Sequence, residues 1–462
     1  MNPRQGPSLR KDLGLWGAVA IVVGTVIGSG IFLVPKAMIL RVGSPEMVFL
    51  VFVFGGVLSL FGALTYAELA AAMPEAGGEY VYLSAAYGPF FGFLYGWTQT
   101  WVAKSASIAT LATGFFLYLA NFFPVLDNVL TSIPLPIGPG GGPLEIRSGQ
   151  ILAMVVVMGL AVLNYFGVKF GGGVQIVVTA VKVACIAAIV ILGLTASTGS
   201  IANFHTSVPA AGGFTGFFAA LVAALWAYDG WNNVNMVASE IRNPQRNLPL
   251  ALIGGTLLVI AIYLAANLAY FYVLSASDVS KSDRVAGEMM RQVMGNGGAG
   301  AVSVAAMISI FAALNGSILT GSRVPYALAR DGYFFRPYAI VNEKYRTPGI
   351  SILLLSAWSC VLLLSGRYDD LYTLVIFPSW ILYAMAAASV IVLRVRQPDL
   401  PRPYKTLGYP VVPILFVCVA IVLIGSTLQD KPRESLLGLG LIAVGIPFYL
   451  YWNRQHTGRR VQ

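Results

Sequence analysis

The sequence predicts an all-α polytopic membrane protein. Twelve transmembrane helices form a five-plus-five inverted repeat in which helices 1 and 6 are broken. Three observations predict it. Of 462 residues, 57% are hydrophobic and only 10% charged, against about 45–50% apolar and about 25% charged in soluble domains. So little charge cannot cover a soluble surface, and so much hydrophobicity excludes a disordered chain. Apolar runs long enough to cross about 30 Å of hydrocarbon recur along the whole length. Two of those runs are interrupted by glycine and polar residues at corresponding places.

In chain order the first six runs fall at about 13–40, 47–72, 89–122, 150–167, 174–195 and 214–240. The other six fall at about 249–274, 300–321, 349–365, 370–393, 411–428 and 436–452. The run from Leu13 is too long for a signal-peptide core and eleven others follow it, so it reads as a retained first helix. Residues 13–195 form the first repeat and 214–393 the second, with 411–452 peripheral and 1–12 and 453–462 as cytoplasmic tails. Placing both ends inside puts 18 Lys/Arg on cytoplasmic segments and nine outside, as the positive-inside rule requires. The net charge of +10 is thereby assigned to loops beside the bilayer and not to nucleic acid. One loop runs against the rule, carrying Glu75 and Glu79 with no base.

The first interruption is Gly24-Thr25-Val26-Ile27-Gly28-Ser29-Gly30, and the second is Trp226-Ala227-Tyr228-Asp229-Gly230-Trp231-Asn232. Each opens a set of five spans. Paired broken helices at matching positions mark an inverted-repeat transporter with its substrate site at the breaks. Glycine lets the backbone leave helical geometry and lets a ligand approach it. A half-helix restarting after Ser29-Gly30 then offers N–H groups and a positive dipole end to a carboxylate. The alternative is that these glycines serve close helix packing.

An acid inside a membrane is a functional candidate. Asp229 either meets a substrate ammonium or caps a second half of helix 6, two roles that are compatible. Trp226, beside the break, is placed to cover a ligand. Lys182 in span five is too deep to snorkel. It is a fixed cation, a titrating group lowered by desolvation, or half of an interior salt bridge. Lys104, nearer an end of span three, reads as snorkelling or paired. The sequon at Asn315 lies inside span eight and is not expected to be an acceptor. Cys185, Cys360 and Cys418 lie in apolar stretches and imply no disulfide framework. His205 and His456 fall in or near loops, and no His/Cys cluster has metal-ligand spacing. No nucleotide-binding loop is present, and no metal or cofactor is expected.

The first-span motif, continued through Ile31-Phe32, resembles the first-helix signature of the amino acid–polyamine–organocation superfamily. Pro74-Glu75-Ala76-Gly77-Gly78-Glu79-Tyr80 is similar to its loop after helix 2. The sixth-span motif with Ser239-Glu240-Ile241-Arg242-Asn243-Pro244 resembles the L-type amino acid transporters, as does Leu314-Asn315-Gly316-Ser317 with Ser322-Arg323. The resemblance covers residues 10–430 and implies a leucine-transporter-type fold in a bacterial member.

By resemblance, the backbone of Ile27, Gly28, Ser29 and Gly30 binds an amino acid carboxylate, and carbonyls near Val26, Ala227 and Tyr228 meet its ammonium. Trp226 matches an aromatic gate, usually Phe or Tyr in the family. Ser107 and Asn232 match polar positions near the site. Asp229 stands where some members have Gly or Ser. Lys182 matches the helix-5 lysine of sodium-independent members. Eukaryotic members bond a heavy chain through a cysteine between helices 3 and 4, and Phe122 to Ser148 contains none, so no disulfide-linked heavy chain is expected.

The resulting expectation is a non-enzymatic secondary transporter in the plasma (inner) membrane. It moves L-amino acids, neutral ones first, by alternating access as a sodium-independent exchanger. The alternatives are proton symport, a cationic amino acid or polyamine carrier, and a non-transporting receptor or channel.

Overall fold

The computed structural model describes residues 9–134, 143–210, 212–365 and 368–460. The chain is a mostly helical, multi-pass membrane protein. Its helices are α1 (Leu15–Val26), α2 (Gly30–Val42), α3 (Pro45–Ala72), α4 (Glu79–Tyr87), α5 (Pro89–Thr98) and α6 (Lys104–Leu119). A short antiparallel hairpin, β1 (Val129–Ile133) and β2 (Leu144–Arg147), precedes α7 (Ser148–Tyr165), α8 (Val168–Leu194) and α9 (Gly213–Tyr228). There follow α10 (Pro244–Val273), α11 (Ala276–Lys281), α12 (Val285–Gly321), α13 (Arg323–Arg330) and α14 (Gly349–Ser365). The chain ends with α15 (Tyr368–Arg396), α16 (Val411–Asp430) and α17 (Pro432–Arg460). Among the described residues ten helical stretches are long and apolar enough to cross a membrane, and two shorter apolar helices, Gly213–Tyr228 and Gly349–Leu364, accompany them.

Local chemistry sets several boundaries. Ser44 caps α3, its hydroxyl accepting from the Met47 N–H at 3.4 Å, with Pro45 in the first turn. Pro244 likewise opens α10. The third span is one rod interrupted by a π turn over Gln99–Ala103, so α5 and α6 meet with their faces rotated. The centre of the bundle is α1, packed against α8, α10 and α12, with α2 against α9. Apolar side chains on α16 and α17 such as Ile421 and Leu436 point outward, as lipid-facing residues do.

The run 214–240 is not a helix that breaks and restarts. The α-helix ends at Tyr228; Gly230 takes φ +104°, and Asn233–Met236 and Ala238–Glu240 follow as 3-10 turns. Asparagines at 232, 233 and 235 favour turns over α-helix, since their side chains compete for backbone partners. Asp229 therefore caps no second α-helix; it ends the first, in extended geometry.

This irregular segment is fixed at the end of the bundle where the chain begins. The Leu13 N–H donates to the Glu240 carbonyl at 3.0 Å, the Arg242 N–H to Leu13 at 2.8 Å, and the Gly77 N–H to Met236 at 3.0 Å. Arg323 grips Glu240 with two bonds, Nε to Oε1 at 2.8 Å and Nη2 to Oε2 at 3.1 Å, both side chains buried. The acidic loop is explained here as well. Glu75 is exposed and lies 3.4 Å from Arg330, whereas Glu79 is fully buried in α4 and presents no charge at the surface.

Breaking a buried ion pair strands its partner and costs about 3–5 kcal/mol. Arg323→Leu should therefore lower the melting temperature of the purified protein. The double change Glu240→Gln/Arg323→Leu should recover part of the loss, because the stranded carboxylate is gone. Circular dichroism melts in detergent test both. Equal melting temperatures for wild type and Arg323→Leu would show that the pair does not hold this end.

Candidate functional site at the paired helix breaks

Three residues, Ile27 to Ser29, separate α1 from α2, and Ile27 leaves helical geometry at φ −73°, ψ 84°. A break in hydrocarbon leaves carbonyls without helical partners, and each must be satisfied from within the protein. Lys182 of α8 does this at two positions. Its Nζ donates to the carbonyls of Gly24 at 2.6 Å and Ile27 at 2.5 Å, with the lysine fully buried. The Ser309 hydroxyl adds a bond to Ile27 at 2.9 Å. Among the described residues no carboxylate pairs with Lys182, so the interior salt bridge is corrected to a lysine bonded to backbone carbonyls.

The second break is joined to the first. The Tyr263 hydroxyl on α10 lies 2.9 Å from the Val26 carbonyl and 2.8 Å from the Ala227 carbonyl. Thr25 Oγ1 lies 2.7 Å from the Ile21 carbonyl and 3.0 Å from that of Gly230. Gly30 allows the contact of α2 with α9: a Cβ there would lie 2.5 Å from Ala227 Cα. At Gly24 a Cβ would lie 2.0 Å from the Gln175 amide. Close packing is thus the role of Gly24 and Gly30, while Gly28 lies in the turn itself, its N–H on the Val26 carbonyl at 2.8 Å.

A small cleft lies between the breaks. Of the residues expected from sequence, Val26, Gly28, Ser29, Gly30, Ser107, Trp226 and Asp229 line it. Ile27, Ala227, Tyr228 and Asn232 do not. Ile27 is turned to Lys182 and Ser309, Tyr228 puts its hydroxyl on the Phe52 carbonyl at 3.2 Å, and Asn232 donates to Glu79. Thr25, Leu111, Asn233 and Ser317 complete the lining and were not foreseen. Nor was Tyr263, whose only signal in sequence is a phenol in an apolar span that needs a partner.

Gly28, Ser29 and Gly30, where α2 begins, line this cleft, which places the positive end of the α2 dipole on its wall. Asp229 supplies a carboxylate, its Oδ1 accepting from the Tyr383 hydroxyl at 3.3 Å. Behind Asn233 stands Lys104, 2% exposed, its Nζ 2.7 Å from the Asn233 Oδ1. It does not snorkel. Burial pushes the Glu79 carboxyl up, against the hydrogen bonds from Asn232 and Tyr95 and the charge of Lys104. The cleft wall thus combines the start of α2 on one side with the Asp229 carboxylate on another.

Its free volume, about 10 Å³, holds at most a water. A cavity of about 990 Å³ lies at the end away from the chain start, lined by Lys36, Arg41, Arg147 and Arg284 with Asp127, Glu145, Asp283 and Asp430. Its lining includes Thr113, two residues from the cleft residue Leu111, and Val222 and Ala223, about one helical turn from Trp226. Asn315 is buried within α12, bonded to Asn164 and Gln175, and His205 is exposed beside Glu46. The described backbone puts His456 within α17, not in a loop.

A family model described as amino acid permease matches residues 13–436. The serine/threonine exchanger SteT of Bacillus subtilis (strain 168) is 34% identical over 444 residues, covering 96% of both chains. The b(0,+)-type amino acid transporter 1 of Homo sapiens is 32% identical, covering 96% of this chain and 88% of the relative. The cystine/glutamate transporter of Homo sapiens is 29% identical, covering 98% and 88%. Chain-long agreement with these transporters, together with membrane-spanning helices that break around one cleft, makes the protein a transporter and not an enzyme: it belongs to the amino acid permease family of the amino acid–polyamine–organocation superfamily.

Proposed function

We propose that the protein exchanges neutral L-amino acids across the plasma (inner) membrane without sodium, by alternating access. The substrate carboxylate binds at the backbone around Ile27, Gly28, Ser29 and Gly30, at the positive end of α2. Its ammonium meets the carbonyl side of the two breaks, around Val26, Ala227 and Tyr228, and Trp226 closes over it. The similarity to a serine/threonine exchanger supports small neutral side chains and exchange. On this reading twelve spans form two inverted halves, residues 13–195 and 214–393, with 411–452 peripheral and both tails cytoplasmic. The corresponding positions of the breaks support it.

The observation that carries the absence of sodium is the Lys182 ammonium on the Gly24 and Ile27 carbonyls. Carbonyl oxygens of an unwound helix 1 are the kind of ligand a sodium ion takes. A lysine already bonded to two of them occupies the ligands and repels a second cation. The cavity then belongs to the outward side, and the Glu240–Arg323 layer closes the cytoplasmic side. A second reading, a carrier of cationic amino acids or polyamines, is favoured by Asp229 on the cleft wall.

Counterflow in proteoliposomes tests the reading. Labelled serine and threonine should enter only when the lumen holds amino acid, with no response to an imposed proton gradient. Absence of saturable uptake across all twenty amino acids would overturn it, and uptake driven by a proton gradient into empty vesicles would replace exchange by symport.

Lys182→Ala should slow exchange by about tenfold or more, since a hydrogen bond to a charged group contributes about 1.5–3 kcal/mol. Full exchange by this variant would make the lysine structural only.

Gly30→Ala should lose substrate binding, because the new methyl meets the Ala227 backbone and separates the two breaks. Trp226→Ala should change affinity or substrate range while the protein still elutes as a folded species. Binding of labelled serine by scintillation proximity measures both, and normal binding by Gly30→Ala would move the carboxylate site elsewhere.

A further inference from the structure

Lys104 has no part in the exchange reading above, yet it is a buried cation bonded to Asn233, which lines the cleft with the carboxylate of Asp229. It is the first residue after the π turn of the third span, and π turns redirect the side chains that follow them. Its stem crosses Gly321 of α12: a Cβ on that glycine would fall 2.3 Å from Lys104 Cγ and 2.9 Å from Cδ. Its Nζ reaches the Asn233 Oδ1 at 2.7 Å, and Asn233 lines the cleft with Asp229. Asp229 and Glu79 are the acids whose charges act on it. A lone carboxylate on a cleft in hydrocarbon would attract any cationic side chain, because at low dielectric a unit charge acts over many ångströms.

We propose that Lys104 is a specificity-determining residue: its ammonium, held on Asn233 at the cleft that Asp229 also lines, offsets the Asp229 carboxylate and so selects substrates with an uncharged side chain. A zwitterion then enters the cleft without adding net charge, and a lysine or arginine substrate would leave an unbalanced positive charge. Gly321 is part of the device, since it gives the lysine stem its path. This rests on the amino acid transport reading and specifies the charge class of the substrate.

The test is proteoliposome uptake of labelled serine, arginine and glutamate by wild type, Lys104→Met, Lys104→Arg, Asp229→Asn and Gly321→Ala. Lys104→Met should raise the arginine-to-serine ratio by about tenfold or more, the size of effect a unit charge exerts at ~10 Å in protein. Lys104→Arg, which keeps the charge, should stay near wild type. Gly321→Ala displaces the stem without removing the charge and should move the ratio the same way by less. Asp229→Asn removes the acid that faces the cleft while the ammonium stays, and should raise glutamate relative to serine. If Lys104→Met does not fold, the Asp229→Asn and Gly321→Ala ratios decide. Ratios unchanged in every folded variant, with normal serine uptake by wild type, would overturn the proposal and leave the transport reading intact. No saturable uptake of any amino acid by wild type would overturn the transport reading itself.

Discussion

The break between α1 and α2 and the end of α9 at Tyr228 stand on one constraint: carbonyls released in hydrocarbon must find donors inside the protein. An unsatisfied amide group there costs several kcal/mol. The donors come from four different helices. Lys182 of α8 and Ser309 of α12 hold Ile27, with Lys182 also on Gly24; Tyr263 of α10 holds Val26 and Ala227; Thr25 of α1 reaches Gly230. The two breaks are thereby one object. The close contact of Gly30 with Ala227, the orientation of the α2 N-terminus and the position of Trp226 all follow from that tie.

The two ends of the bundle are built differently. At the chain-start end an ion pair and short backbone bridges join the elements, with Leu13, Met236, Ile241 and Tyr326 buried around them. A buried ion pair adds little net stability over an apolar replacement. On the proposed alternating-access reading, such a pair can be hydrated when the layer opens. At the other end the rim carries opposed charges in solvent, Lys36 with Asp283 and Arg41 with Asp430. Exposed pairs contribute about 0–1 kcal/mol each, so they guide charged groups inward more than they hold the helices together.

Much of this was legible in sequence, and the reasons are physical. The apolar runs and the two polar interruptions follow from the cost of polar groups in lipid, and the long described helices overlap those runs, ten stretches being long and apolar enough to span. Most of the expected cleft residues line the cleft because the glycine run and the Trp-Ala-Tyr-Asp motif mark backbone that leaves helical geometry. What the sequence hid depends on rotation about an axis. Asn232 and Asn233 are neighbours, yet one turns to Glu79 and the other to the cleft, because 3-10 geometry replaces the α-helix expected there. For Lys104 the sequence leaves snorkelling and pairing open, because periodicity cannot register the π turn that precedes it; in the fold it is buried and bonded to Asn233. Tyr263 looked like any aromatic in an apolar span. Glu79 looked like a loop charge because burial beside α4 is a tertiary fact.

The central claim is that the protein's own groups, with Lys182 foremost, occupy the carbonyls that a metal cation would otherwise bridge. Its most direct test is equilibrium binding of serine to the purified protein in choline chloride and in sodium chloride at equal ionic strength. The account predicts the same Kd in both. Binding seen only with sodium, or tightened about tenfold or more by it, would mean that a cation site remains open at the break and would contradict the account.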